Sequence, residues 1–109
     1  MKLKEIIEKF DLKPLTNIED KDINGVYMSD MLSDVMSSAE SGSLWMTIQT
    51  HKNIVSAANL IDLSAIIVTN GKEVPDGTIE LANRFYVNIL SSDLPTYKLA
   101  SKFIEAGVK

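Results

Sequence analysis

The stretch SAIIVT, residues 64–69, constrains this chain more than any other part of it. Four consecutive apolar residues between small polar ones are too few for a helix. Without polar alternation they suit a strand buried on both faces. Such a strand needs a packed layer on either side, and the flanking sequence offers helices for both.

Ahead of it, Leu3, Ile6, Ile7 and Phe10 recur at helical spacing, and Pro14 limits that helix. DINGVYM reads as a turn entering a strand. SDMLSDVMSSAESG then places Met31, Leu32, Val35, Met36 and Ala39 on one helix face, with Ser29 or Asp30 as N-cap and Gly42 at the exit. SLWMTIQ is a second strand. THKNIVSAANLIDL is a helix capped by Thr50, with Ile54, Val55, Ala58, Leu60 and Ile61 apolar.

Beyond SAIIVT, the turn NGKEVPDG leads into the helix TIELANRFY, with Ile79, Leu81, Ala82 and Phe85 available for packing. VNILS is the last strand. SDLPTYKLASKFIEAG closes as a helix, capped by Ser92 or Asp93, with Pro95 in its first turn and Gly107 at its end. Strand–helix alternation at this spacing implies right-handed crossovers and an α/β fold, a mainly parallel β-sheet with helices packed on it. No linker or repeat interrupts residues 1–109, which are expected to form a single domain.

Composition excludes several functions. There is no cysteine, so thiolate metal sites and cysteine nucleophiles are absent. A net charge of −4 argues against a general nucleic-acid binder. The N-terminus interleaves charge with apolar residues, unlike a signal peptide, and no apolar run approaches a bilayer span. A soluble cytoplasmic protein without membrane association follows as the expectation. The sequence points to no cofactor.

Ligands of parallel sheets collect beyond the carboxyl ends of the strands, where helix N-termini point free N–H groups. Those places hold Ser29 and Asp30, then Thr50 and His51, then Asn70, Gly71 and Lys72, then Ser92 and Asp93. One reading is a rim for a small anionic ligand such as a nucleotide, with His51 and Lys72 adding positive charge. The other is that every helix start needs capping residues anyway. His51, the one histidine, lacks an accompanying nucleophile elbow or metal-ligand spacing, which favours an exposed helix start over a catalyst. Gly71-Lys72 is followed by Glu73, not Ser or Thr, and has no upstream P-loop glycine. Asn70-Gly71 therefore reads as a turn at positive φ.

Tyr27 and Trp45 are the interface candidates. Alternation puts Trp45 and Thr47 on one sheet face and Leu44, Met46 and Ile48 on the other, and either face could be core. On an incompletely covered sheet, Trp45 with Tyr27 would form a patch wanting a partner, and a homodimer is a common way to cover one.

Residues 25–75, GVYMSDMLSDVMSSAESGSLWMTIQTHKNIVSAANLIDLSAIIVTNGKEVP, together with ILSSDLPTYKLASKFIEAG, resemble the DRTGG domain family. The likeness is to its short stand-alone members, relatives of the N-terminal domain of HPr kinase/phosphorylase, and covers nearly the whole chain. The five letters naming the family are missing; the corresponding stretch is SGSLWMTIQTHKN, without their Asp-Arg. The kinase half with its P-loop is also absent. The resemblance implies a non-catalytic regulatory module, commonly dimeric, in a bacterial or archaeal cytoplasm, and transfers no catalytic residues. Beside it stand a protein–protein adaptor with no small-molecule ligand and, last, an enzyme using His51 as acid or base.

Overall fold

The computed structural model describes residues 1–108. Helix α1 (Leu3–Lys9) and the two-residue strand β1 (Lys13–Pro14) precede a regular series. That series is β2 (Gly25–Met28), α2 (Leu32–Ser38), β3 (Ser43–Thr47), α3 (Asn53–Leu60), β4 (Ala65–Val68), α4 (Asp76–Arg84), β5 (Ile89–Ser91) and α5 (Thr96–Glu105). The sheet order is β1-β5-β4-β3-β2. Strands β2 to β5 are parallel neighbours, and β1 adds antiparallel to β5. The expected α/β architecture is the one observed.

Each crossover moves one strand the same way across the sheet, so α2, α3 and α4 share a face. Val35, Trp45, Ile54, Ile66, Ala82 and Ile89 form the core there. The opposite face is covered by α1 and α5, where Leu3, Ile6, Leu44, Met46, Ile67, Leu90, Leu99 and Phe103 pack together. Strand pleating makes the division: Leu44 and Met46 face one layer and Trp45 the other. Every residue of β3 and β4 is buried, as the SAIIVT run requires.

Four helices end alike. Asp11, Asp62, Tyr86 and Gly107 take positive φ just past α1, α3, α4 and α5. The next residue in each case, Leu12, Leu63, Val87 or Val108, is buried and donates its N–H to a carbonyl five residues back. This is the Schellman arrangement with its apolar contact. Only Gly107 was foreseeable, because the other three positions carry side chains where glycine is usual.

Segment 15–24 crosses the amino end of the sheet without regular structure and is held by side chains. Asn88, buried beside β5, donates to the Glu19 and Ser64 carbonyls (2.9 Å each) and accepts the Glu19 N–H (2.8 Å). Thr16 accepts the Ile89 N–H. Ser64 donates towards the Asp22 and Gly42 carbonyls.

Several expectations about packing need correction. Leu60 and Phe85 are exposed, since Leu60 is the last residue of α3 and Phe85 the one that follows α4, and both turn away from the core. Met31 and Met36 are exposed too, because α2 buries only Val35 fully. Met46 is the methionine buried in the core, and Met28 is exposed like Met31 and Met36. Trp45 is fully buried, because α2 and α3 cover the face it points to.

Candidate functional site at the carboxyl rim of the sheet

The strand order sets the carboxyl ends of β2, β3, β4 and β5 side by side, so the candidate rim residues follow one edge of the sheet. They fall into three groups. Ser29 and Asp30 are tied to the end of β3. Asp30 Oδ1 accepts from Thr47 Oγ1 (2.9 Å) and the Ile48 N–H (3.0 Å), and its carbonyl accepts from Gln49 Nε2 (3.1 Å). Trp45 Nε1 donates to the Ser29 carbonyl at 2.8 Å. Ser29 Oγ accepts the Met31 N–H, leaving no side-chain cap on the first residue of α2.

The second group is Thr50 and His51. The Thr50 carbonyl accepts from buried Thr78 Oγ1 at the start of α4 (2.9 Å), and Lys52 lies over Gly77. His51, not Thr50, does the capping: its Nδ1 accepts the Asn53 N–H at 3.2 Å. The helix begins at Asn53, which puts Thr50 a residue too early to reach that N–H.

The third group joins Asn70, Gly71 and Lys72 to Ser92 and Asp93. Strands β4 and β5 send their chains to opposite faces, so here the exits of neighbouring strands diverge, the usual place for a ligand crevice. The two loops instead bond to each other. Asn70 N–H donates to the Leu94 carbonyl (2.8 Å) and Gly71 N–H to the Ser92 carbonyl (3.0 Å). Ser92 Oγ accepts the Leu94 N–H, and the Asp93 carboxylate sits over Gly71. Asn70 and Gly71 both have φ near +63°, the turn their sequence suggested. Their N–H groups are thus occupied, while the Lys72 side chain is exposed.

The open concavity lies nearer β2. A cleft of about 340 Å³ is lined by Met28, Ser29, Asp30, Met46, Thr96 and Tyr97. Two of the nine rim candidates, Ser29 and Asp30, line it. The first-turn N–H groups of α5 beside it have no side-chain cap. Behind runs a buried polar seam: Thr69 Oγ1 and Thr96 Oγ1 share a 2.6 Å hydrogen bond, and Thr69 N–H donates to the Thr47 carbonyl (3.0 Å). Thr47 and Thr96 were missed from sequence. The available signal was a threonine closing each apolar strand run, at 47 and 69.

Two further residues change standing. Among the described residues His51 has no carboxylate or hydroxyl partner, so nothing orients it as an acid or base. Tyr27 is half-buried, and its hydroxyl donates to Asp34 Oδ2 (2.9 Å), a bond that raises the phenol above its usual pKa. With Trp45 sealed in the core, the paired aromatic patch expected on an open sheet face does not form.

This α/β layer structure, a mainly parallel five-stranded sheet between two layers of helices, has a DRTGG-like fold. Among solved structures it is similar to the regulatory region of Clostridium perfringens pyrophosphatase, which contains CBS and DRTGG domains and was solved with its activator, diadenosine tetraphosphate. The match covers 91% of this chain and 44% of that one, with a TM-score of 0.68 and 16% sequence identity. At that identity the likeness shows the fold, and this chain spans less than half of that region. No family model and no curated protein matches the sequence. No helix among the described residues is long and apolar enough to cross a membrane.

Proposed function

We propose that the chain is a non-catalytic regulatory module that dimerises and binds a small anionic ligand, a nucleotide in the first place, on the carboxyl rim of its sheet. The observation carrying this reading is the fold shared with a regulatory region whose activator is a dinucleotide. In this reading the ligand enters the cleft beside Ser29, Asp30 and the start of α5 and extends along the rim towards Asn70–Lys72 and Ser92–Asp93. Asp30 is negative, so it suits ribose or base donors and repels phosphate. Lys72 supplies positive charge on the same edge, and His51, whose Nδ1 accepts the Asn53 N–H, offers its Nε2–H as a neutral donor.

Thermal unfolding with diadenosine tetraphosphate, ATP and inorganic phosphate tests the reading. A ligand at a hundred times its Kd stabilises the folded state by about 2.7 kcal/mol, which for a domain of this size raises Tm by roughly 10 °C or more. Lys72→Glu should shrink that rise. No shift with any of the three would remove the ligand half of the proposal. The second reading, a protein–protein adaptor without ligand, draws on exposed apolar side chains such as Met28, Tyr97 and Ile104. It predicts no Tm response together with a stoichiometric partner of different sequence.

A further inference from the structure

We infer that a second copy of this chain packs on the groove between β2 and α5, with the two α5 helices antiparallel. The inference rests on the dimerisation proposed above and names its surface. Strand β2 is an edge of the sheet, and α5 covers it incompletely. The resulting apolar groove, about 430 Å³, is lined by Val26, Met28, Ala100, Phe103, Ile104 and Val108.

Helix α5 carries two apolar stripes. Leu99 and Phe103 face the core. Tyr97, Ala100 and Ile104, at i, i+3 and i+7, form another alongside Met28 of β2, with the small Ser101 between them. Tyr97 is 84% exposed, Ile104 68% and Met28 52%, large values for neighbours on one face.

The stripe is complementary to itself. Tyr97 lies at the amino end of α5, whereas the groove is walled by Ala100, Phe103, Ile104 and Val108 towards and beyond its carboxyl end. A two-fold axis near Ser101 brings each Tyr97 to the other copy's groove. The same axis sets Lys98 opposite Glu105 of the second copy, since the two lie on either side of Ser101. Neither residue has an ion-pair partner among the described residues of the monomer. Ala100 and Ser101 at the crossing are small enough for close helix approach. Covering Met28, Tyr97, Ile104 and the groove walls in both copies removes on the order of 1,000 Å² from water, the lower bound for a specific interface.

Sedimentation equilibrium of the whole chain tests this. Wild type should be a dimer, and Tyr97→Glu and Ile104→Glu should each be monomers with unchanged far-ultraviolet circular dichroism. Leu60→Glu, exposed on the other face of the sheet, should remain dimeric. Lys98→Glu should weaken the dimer about tenfold, and combining it with Glu105→Lys should restore it. A dimer unaffected by Tyr97→Glu and Ile104→Glu, or a charge exchange that fails to restore it, overturns the surface and leaves dimerisation standing. A monomeric wild type overturns both. The ligand response is read separately, as the nucleotide-induced Tm rise of wild type and of Ile104→Glu, since Ile104 lies outside the cleft that Tyr97 lines.

Discussion

Replacing Trp45 by phenylalanine probes the joint between core and rim. The indole is fully buried between β3 and α2–α3, and its Nε1–H holds the Ser29 carbonyl at 2.8 Å. Phenylalanine keeps an aromatic ring in the layer but deletes that donor. The lost bond and its orphaned acceptor cost about 1–3 kcal/mol. A residual void of about 40 Å³ adds roughly 1 kcal/mol at about 24 cal/mol per Å³. The total, about 2–4 kcal/mol, is a large share of the roughly 5–16 kcal/mol expected for a chain of this length. Urea unfolding followed by circular dichroism at fixed protein concentration should show an unchanged slope and a midpoint lower by about 1–3 M. Because the released carbonyl belongs to Ser29, the variant should also bind nucleotide more weakly while dimerising normally. A midpoint shift below about 0.3 M would refute the reasoning, since Trp45 would then be neither sealed nor holding the rim.

Other predictions concern particular residues. Asn88→Ala should lose about 2–4 kcal/mol, because it frees the part-buried Glu19 N–H and two carbonyls, and amide exchange should accelerate selectively across residues 15–24. Gly42→Ala should cost about 2 kcal/mol in chemical unfolding, since φ is +85° and the new Cβ runs into the Asn24 side chain. His51→Ala should cost under about 1 kcal/mol by thermal unfolding, the value of an exposed cap, and His51→Asn should recover most of it. A large loss in His51→Ala would mean the ring has a partner beyond Asn53.

Much of the fold is legible in the sequence because its signals are local. SAIIVT is a two-faced strand on composition alone, and β3 and β5 carry the same apolar character. Asn70-Gly71 declares its turn. Strand β1 does not, because two exposed residues hold no pattern and their pairing with β5 comes from tertiary placement. The helix ends at Asp11, Asp62 and Tyr86 were hidden because positive φ there is imposed by burying the following residue. The burial of Trp45 depends on which helices cover its face, and α2 and α3 are placed by strand order. The rim was legible as a row of small polar residues, but not which groups were already occupied. The mutual bonds of 70–71 with 92–94 and the seam through Thr47, Thr69 and Thr96 exist only once the strands are neighbours.

The central claim is a nucleotide on the carboxyl rim. Its most direct test is an amide chemical-shift titration of the ¹⁵N-labelled chain with diadenosine tetraphosphate. The account predicts saturable shifts concentrated at Ser29, Asp30, Thr96 and the 70–72 turn, with little change across residues 15–24. No saturable shift, or shifts centred away from the carboxyl ends of β2 to β5, would contradict it.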